Sequence, residues 1–255
     1  MIIVDKLYKG FDGTQVLNGI SASFESGKTS LIIGQSGSGK TVFLKSLIGL
    51  HVPESGTISF DGAVNTQFTI EQKRQWRQEI GMVFQGSALF DSQTVQENVM
   101  FPLKMFKKQS QEEMIERVNF VLKRVNLENS NFKFPAELSG GMQKRVAIAR
   151  AIVMNPKYLF CDEPNSGLDP NTAILIDNLI QEITDEYQIT TVINTHDMNS
   201  VMQIGDKIVF LKDGIKAWEG TNKEIFKTDN EAVVKFVYSS ELFKKVRLAY
   251  LNETK

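Results

Sequence analysis

The sequence of 255 residues has a single cysteine, almost no net charge and no long apolar run, and each of these absences excludes something. Cys161 alone cannot form an intramolecular disulfide, which favours a reducing compartment. Because the charges of 29 Lys and Arg residues are balanced by those of 30 Asp and Glu residues, there is no overall positive field to hold nucleic acid or an anionic membrane. No apolar run approaches the roughly 20 residues that span a bilayer, and the first residues do not resemble a signal peptide, so we expect a cytosolic protein.

The sequence does contain an alternation of strand and helix signals, which indicates the α/β class. A capping box at Ser110 and Glu113 starts an amphipathic stretch and predicts a helical insert. The pair Asp213-Gly214 between two strand-like segments predicts a β-hairpin. Short apolar runs typical of strands buried on both faces, and therefore of a mostly parallel sheet, occupy residues 30–33, 80–84, 158–161, 190–193 and 208–211.

Residues 34–41 read Gly-Gln-Ser-Gly-Ser-Gly-Lys-Thr and fit the phosphate-loop pattern G-x-x-x-x-G-K-[ST]. The loop follows a strand that ends at Ile33 and precedes a predicted helix over residues 41–50, as a P-loop requires. Backbone N–H groups would surround an anion, Lys40 would reach the β- and γ-phosphates, and Thr41 would offer its hydroxyl to Mg²⁺. The alternative is a chance glycine turn. The pattern predicts a nucleoside triphosphate site and leaves kinases, GTPases, motors and transport ATPases open.

Two carboxylates, Asp162 and Glu163, end the apolar run 158–161. Ligands of open parallel sheets bind at the carboxyl ends of the strands, where these side chains are expected to lie. We interpret Asp162 as an organiser of Mg²⁺ and Glu163 as the group that polarises a water against the γ-phosphorus. A plain polar strand end is the alternative, which the upstream phosphate loop disfavours.

Residues 138–143, Leu-Ser-Gly-Gly-Met-Gln, resemble the signature sequence of ATP-binding-cassette (ABC) proteins. Gly140 and Gly141 permit close backbone approach, and Ser139 opens a helix, so that a hydroxyl, amides and the helix dipole point to one place. This second phosphate cradle has no acidic strand of its own. The expected complete site therefore forms head to tail between two copies of the chain. The resemblance extends from about Val4 to Gly220 and implies an active ATPase that uses ATP and Mg²⁺.

The ABC resemblance implies roles for further positions. Gln85 matches the glutamine that contacts Mg²⁺ or the attacking water, and His196 matches the histidine that holds the γ-phosphate. Asp169 ends the segment 166–169, which matches the D-loop at the dimer seam. Without the family spacing, the first two would be ordinary polar residues. Phe11 falls where cassettes carry an adenine-stacking aromatic, with Tyr8 as the alternative. The predicted set comprises catalytic Glu163, His196, Gln85 and Lys40; nucleotide-binding Phe11, Val16, Gly34, Ser36, Gly37, Ser38, Gly39, Lys40, Thr41 and Val42; signature residues Ser139, Gly140, Gly141, Gln143 and Asp169; and metal ligands Thr41, Gln85 and Asp162.

In this interpretation residues 1–221 form an ABC ATPase domain, a P-loop NTPase (RecA-like) core with an N-terminal antiparallel β part. A helical subdomain is inserted at about residues 88–157. Residues 222–255 form a helical C-terminal extension, which either packs on its own ATPase core or reaches a second ATPase subunit or a small regulatory subunit. Lys244, Lys245 and Arg247 would make only a weak lipid anchor. The apolar positions of the extension are Val233, Phe236, Val237, Leu242, Phe243 and Val246.

Two classes of function compete for a cassette ATPase of this length. One is the nucleotide-binding subunit of a membrane transporter, and the other is a soluble ATPase that acts on DNA or the ribosome. The segment between Gln85 and Tyr158 leaves no room for the heptads of DNA-repair cassettes, and the near-zero net charge disfavours nucleic acid. We therefore expect a transport ATPase, held by separate permease subunits at the cytoplasmic face of the inner membrane.

Residues 84–92, Phe-Gln-Gly-Ser-Ala-Leu-Phe-Asp-Ser, resemble the ATPases of bacterial Mce-type phospholipid transporters, the Mla system and its relatives. This resemblance implies phospholipid transport with an Mce-type lipid-binding partner. The segment 94–99 that follows is shared with importers of amino acids or osmolytes, so a small-solute importer is the alternative. Five apolar residues of this region have two interpretations: they pack in the core of the helical insert, or they line a groove for a permease coupling helix. They are Leu89, Phe90, Val95, Met100 and Phe101.

Overall fold

The computed structural model describes residues 1–238 and Lys245. In this part of the chain there are ten strands and eight α-helices, numbered in chain order. The strands are β1 Ile2–Phe11, β2 Thr14–Phe24, β3 Lys28–Ile33, β4 Ser55–Phe60, β5 Ala63–Val64, β6 Ile80–Val83, β7 Tyr158–Asp162, β8 Thr190–Asn194, β9 Lys207–Lys212 and β10 Ile215–Gly220. The helices are α1 Lys40–Leu47, α2 Ile70–Gln78, α3 Val95–Phe106, α4 Gln111–Arg124, α5 Gly140–Ile152, α6 Pro170–Tyr187, α7 Met198–Ile204 and α8 Glu231–Val237.

The chain divides into two compact units. The first comprises Met1–Gln67 and Val192–Lys255, and the second comprises Phe68–Thr191, so that β8 crosses from one to the other. None of the helices between residues 1 and 238 combines the length and apolarity needed to cross a bilayer.

The first unit contains an N-terminal antiparallel sheet with the strand order β2-β1-β4-β5. It also contains β3, which pairs in parallel with β9, while β9 pairs antiparallel with β10. The turn between β9 and β10 has left-handed φ values of 50° at Asp213 and 76° at Gly214, which confirms the predicted hairpin. Helix α1 ends at Leu47, earlier than predicted, because left-handed Gly49 (φ 72°) follows its C-terminus.

Residues 222–238 pack within the first unit. Ile225, Phe226, Val233 and Val237 are buried, and the Tyr238 hydroxyl donates to the Phe226 carbonyl at 3.1 Å. The first half of the predicted extension therefore contributes to its own core, and both interpretations of the rest of the extension stay predictions. Lys245 is exposed. The other positions predicted for the extension, Leu242, Phe243, Lys244, Val246 and Arg247, lie outside the described residues.

The second unit contains the parallel pair β6 and β7 together with helices α2 to α6. Helix α4 begins at the predicted capping box of Ser110 and Glu113, with 2.8 and 3.2 Å hydrogen bonds between the two residues. Its predicted apolar face is buried, as shown by Val118 and Val121. The antiparallel N-terminal part, the parallel pairs and the inserted helices confirm the predicted α/β class.

One buried side chain, Asn98 of α3, holds the loop that precedes this helix. Its Oδ1 accepts from the Phe90 N–H at 2.8 Å, and its Nδ2 lies 3.0–3.1 Å from the carbonyl oxygens of Phe90, Gln93 and Thr94. Thr94 and Glu97 form a capping box at the helix start. Asn98 and the capping box within the segment 94–99 therefore shape this loop.

We expect Asn98→Ala to destabilise the protein by about 2–4 kcal/mol, because each lost bond contributes about 1 kcal/mol and buried backbone groups are left without partners. The measurement is the urea unfolding midpoint. Asn119→Ala is the matched control: Asn119 is exposed on α4 and accepts one exposed hydrogen bond, from Asn131 Nδ2 at 2.7 Å, so the variant shares the gain in helix propensity without losing a buried network. Equal midpoints for the two variants would contradict this role for Asn98.

Candidate functional site

The phosphate-loop residues form a tight turn between β3 and α1 in the first unit. Gly34, Gly37 and Gly39 have φ values of 151°, 80° and 97°. A Cβ on Gly34 would lie 2.2 Å from the Leu211 carbonyl oxygen, so only glycine fits at this position. Gly39 begins α1 without a side-chain cap, and the N–H groups of the first turn therefore point toward the loop.

Lys40 and Ser38 supply polar groups inside this turn. The buried Lys40 donates from Nζ to the carbonyls of Gly34 and Gln35 at 2.9 and 3.0 Å. The Ser38 hydroxyl is buried and has no hydrogen-bond partner among the described residues. A buried hydroxyl without a partner destabilises the fold unless a ligand accepts a hydrogen bond from it. A cation, an unused donor and converging amides fit an anion of phosphate size.

The end of β8 lies beside this loop within the first unit. Asn194 donates to Thr41 Oγ1 at 3.2 Å, and the Thr195 N–H donates to the Ile32 carbonyl at 3.1 Å. His196 follows directly, with an exposed side chain. Sequence reasoning missed Asn194 as the residue that orients Thr41. The sequence signal for this role is that Asn194 is a polar residue at the end of a buried strand, two residues before His196.

Phe11 ends β1 with 39% of its surface exposed. The His51 ring meets it edge-on at 5.1 Å, and Lys9 Nζ lies 4.8 Å from the ring centroid. Burial lowers the pKa of His51, and nearby lysine charges lower it further. Tyr8 instead lies against Gly19, where a Cβ would come within 2.9 Å of its hydroxyl. Exposure therefore favours Phe11 over Tyr8 as the base-stacking residue, and His51 is a neighbour that the sequence did not reveal.

Three more predicted nucleotide residues lie on or near the loop. A Cβ on Gly39 would lie 3.1 Å from the Val16 carbonyl oxygen, which places Val16 against the start of α1. Val42 is half-buried in the first turn of α1, and Ser36 is exposed at the loop surface. All three positions remain predictions for nucleotide contact.

In the second unit, the predicted carboxylates stand at the end of β7. Asp162 is 7% and Glu163 8% exposed. Glu163 has a left-handed φ of 49°, a conformation that non-glycine residues rarely adopt and that clusters at functional sites. Burial lowers the pKa of Lys144, and the nearby carboxylates of Glu163 and Asp162 oppose this shift. Burial also raises the pKa of the Cys161 thiol, so this cysteine remains protonated and unreactive.

Gln85 follows β6, and its side chain is exposed. Its backbone carbonyl accepts from Lys144 Nζ. The next residues, Ser87 and Ala88, have left-handed φ values of 61° and 49°. The segment that carries Gln85 is therefore a tightly turned loop attached to α5.

The signature residues surround the first turn of α5. Ser139 caps the helix by accepting from the Met142 N–H at 3.3 Å. A Cβ on Gly141 would lie 2.6 Å from Thr172 Cγ2, so this glycine allows α5 to approach α6. Asp169 caps α6, accepting from the Thr172 hydroxyl and N–H at 2.5 and 3.1 Å, and these bonds lower its pKa. One cavity of about 490 Å³ is lined by Ser139, Gly140, Gly141 and Asp169.

Gln143 has a local role in the second unit. Its Nε2 donates to the carbonyls of Pro135 and Leu138 at 3.0 and 3.4 Å. It thereby holds the turn before the signature helix. Gln143 is not among the described residues that line the 490 Å³ cavity.

The second unit also has a groove of about 280 Å³. Two of the five apolar residues predicted to line a groove for a permease coupling helix, Phe90 and Phe101, line it, and their ring centroids are 4.8 Å apart. The groove prediction is wrong for Val95 and Met100, which are fully buried because they lie on the inner face of α3. Leu89 does not line the groove in the described structure. The other apolar residues that line it include Ile80, Met82, Phe84, Pro102, Phe106 and Met154.

The predicted metal ligands are oxygen donors that belong to both units. The described residues contain no cluster of three or more His, Cys, Asp or Glu side chains. Thr41 in the first unit offers a hydroxyl, and Gln85 and Asp162 in the second unit offer an amide and a carboxylate oxygen, the donor type that Mg²⁺ prefers. Each of them fits as a single ligand of a cation that keeps water and phosphate oxygens as its other ligands.

Comparisons with known proteins agree with this geometry. The family model described as "ABC transporter" matches residues 17–166. The methionine import ATP-binding protein MetN 1 of Pseudomonas putida is 40% identical over 210 residues, which cover 82% of this chain and 63% of that protein. The chain thus spans less than two thirds of that relative's length. Further relatives from Pseudomonas, Bacillus, Campylobacter and Clostridium species carry the same methionine import description.

Two solved structures are similar along most of the chain. The dimeric structure of MJ0796, a bacterial ABC transporter cassette, has a TM-score of 0.80 at 32% identity and covers 87% of this chain and 99% of its own. CbiO1 of Clostridium perfringens, part of the ABC transporter complex cbiONQ, has a TM-score of 0.82 at 33% identity and covers 99% of this chain and 98% of its own. The chain therefore belongs to the ABC transporter family.

Proposed function

We propose that this chain binds and hydrolyses ATP as the nucleotide-binding subunit of an ABC importer for a small solute of the amino-acid class. The observation that carries the ATP assignment is the phosphate loop, where Lys40 is held by two carbonyls beside the unpartnered hydroxyl of Ser38. Converging amides, a cation and a free donor recognise phosphate oxygens by charge and geometry.

Each predicted residue receives one task in the proposed reaction. Lys40 contacts the β- and γ-phosphates, and Phe11 offers its exposed face to the adenine. Glu163 accepts the proton of the attacking water, and His196 donates toward the γ-phosphate. Mg²⁺, when bound with ATP, would be held by Thr41, Gln85 and Asp162 and would supply neutralising charge at the phosphates.

The signature residues suggest that a second copy of the chain completes the site. The N-terminus of α5, with Ser139 and Gly140, borders an open cavity in the second unit. A helix of 13 residues that begins without an acidic residue in its first turn favours an incoming anion. The similar cassette MJ0796 is described as dimeric, which supports a head-to-tail pair for this chain.

The relatives favour import of a small solute over phospholipid transport. The curated relatives are described as methionine import proteins, and none of those described supports an Mce-type partner. The phospholipid interpretation depended on residues 84–92, whose backbone is held by Asn98, Lys144 and Arg150. Because residues in this loop shape the ATPase itself, their similarity to lipid transporters is weak support for a lipid cargo.

The groove lined by Phe90 and Phe101 is the proposed contact with a permease. Most of its lining residues are apolar, and Arg77 and Arg150 also line it, which suits an amphipathic helix with an acidic end. Docking there would hold the cassette at the cytoplasmic face of the membrane. A small regulatory subunit remains a proposal for the end of the extension, which lies outside the described residues.

The test is to isolate the chain with the membrane subunits that co-purify with it, reconstitute the complex in liposomes and measure ATP hydrolysis. We expect added amino acids, methionine included, to raise turnover several-fold in the presence of the co-purified subunits. Added phospholipid is the matched comparison and should leave turnover unchanged. An Mce-type subunit in the complex together with a response to lipid alone would refute the importer assignment.

A further inference from the structure

Helix α5 holds the loop that carries Gln85 with two cationic side chains. Lys144 donates from Nζ to the Gln85 carbonyl. Arg150 donates from Nη2 to the Ser87 carbonyl at 2.7 Å and from Nη1 to the Ala88 carbonyl at 2.8 Å. Three of four consecutive carbonyls, those of residues 85, 87 and 88, therefore accept from one helix.

This attachment compensates for an unfavourable backbone. Ser87 and Ala88 both have left-handed φ values, at 61° and 49°, which side chains other than glycine disfavour. Within the loop, the Ala88 N–H donates to the Gly86 carbonyl at 2.7 Å. Charge-assisted bonds from a lysine and an arginine are stronger than neutral ones, so they can hold a conformation that the loop alone would leave.

The same helix connects three parts of the molecule. Its first turn carries the signature residues, capped by Ser139. Lys144 lies close enough to Asp162 and Glu163 for their charges to act on its ammonium. Arg150 lines the apolar groove, with its guanidinium 5.9 Å from the Phe90 ring centroid.

We propose that Lys144 and Arg150 are positioning residues that hold the Gln85 loop in its turned conformation and thereby fix the position of Gln85. We call this pair the α5 clasp. The inference rests on the proposed function, in which Gln85 acts on hydrolysis.

The first experiment measures hydrogen exchange of the purified chain without nucleotide, in Lys144→Met and Arg150→Met. Amides of residues 84–90 should exchange about 10-fold faster in both variants, because local opening becomes easier when the clasp is lost. Arg117→Met is the matched control, since Arg117 donates to the carbonyls of Val153 and Ile152 at 2.9 and 3.1 Å, at the C-terminal end of α5, and not to those of residues 85, 87 and 88. Its exchange over residues 84–90 should equal that of the unsubstituted chain.

The second experiment measures ATP turnover and nucleotide affinity in the same variants. The clasp variants should lose about 10-fold in kcat while the KM for ATP changes less than about twofold, because the loss lies in positioning rather than in binding. Arg150→Lys keeps a donor and should recover part of the loss. Lys144→Gln keeps a neutral donor and replaces Lys144→Met if that variant does not fold.

Unchanged exchange over residues 84–90 in both clasp variants would overturn the proposal. Faster exchange with unchanged kcat would also overturn it, because the loop would then not govern turnover. An unsubstituted chain that hydrolyses no ATP would refute the proposed function instead, and the exchange experiment would still decide whether the clasp holds the loop.

Discussion

Glu163→Gln should lower the kcat for ATP hydrolysis at least ~100-fold, the size expected when a general base is lost. Glutamine has the same shape and tolerates the same left-handed backbone, where Glu163 has a φ of 49°. The substitution therefore removes a proton acceptor without removing packing. Nucleotide affinity, measured with a fluorescent ATP analogue, should change only slightly. The variant should also form a dimer in the presence of Mg²⁺ and ATP, detectable by light scattering.

Glu186→Gln is the matched control for Glu163→Gln. Glu186 lies on α6 in an exposed pair with Arg124 at 2.7 Å, so the same change of charge occurs away from the predicted site. Exposed pairs contribute little to stability, and turnover of this control should stay close to that of the unsubstituted chain. Near-normal hydrolysis by Glu163→Gln would remove Glu163 from its assigned role.

Lys40→Ala should weaken ATP binding itself, by at least ~100-fold in Kd, since a buried charge-assisted contact to phosphate is lost and tenfold corresponds to about 1.4 kcal/mol. Two hydrogen bonds that hold the loop are lost as well, from Nζ to Gly34 and Gln35. The first effect acts on the bound state, and the second loosens the loop of the chain without nucleotide. Equilibrium titration with a fluorescent nucleotide measures the change directly.

Lys123→Ala controls for the loss of a lysine from a helix. Lys123 is exposed in the last turn of α4 in the second unit, outside the phosphate loop and away from Phe11 in the sequence. Its substitution should leave the Kd for ATP within about twofold, because a solvent-exposed charge outside the predicted site is screened by solvent. If both variants bound ATP as tightly as the unsubstituted chain, the phosphate loop would not be the nucleotide site.

Local signals predicted those features whose causes lie within one turn of chain. The capping box of Ser110 and Glu113 and the hairpin at Asp213-Gly214 formed as expected because each depends on neighbouring residues alone. The phosphate loop is similar, since its glycines meet backbone demands set inside the motif. Gly34 also faces Leu211, a distant contact that the pattern respects without revealing it.

Contacts between distant segments could not be predicted from the sequence. Lys144 and Arg150 were unremarkable basic residues on a helix, and nothing nearby in the chain indicates that they meet carbonyls about 60 residues away. The pairing of Phe11 with His51 depends in the same way on two segments 40 residues apart. For Val95 and Met100, apolar character alone could not distinguish a groove wall from the interior of α3.

The close approach of α5 and α6 has a consequence for motion. Since even a single added carbon at Gly141 would collide with Thr172, the two helices have no space between their first turns. Packed surfaces of this kind shift as blocks and do not deform gradually. Ser139 and Asp169 are the N-caps of these helices and should therefore move together as one rigid unit. In the proposed dimer, that unit would present both residues to the second copy.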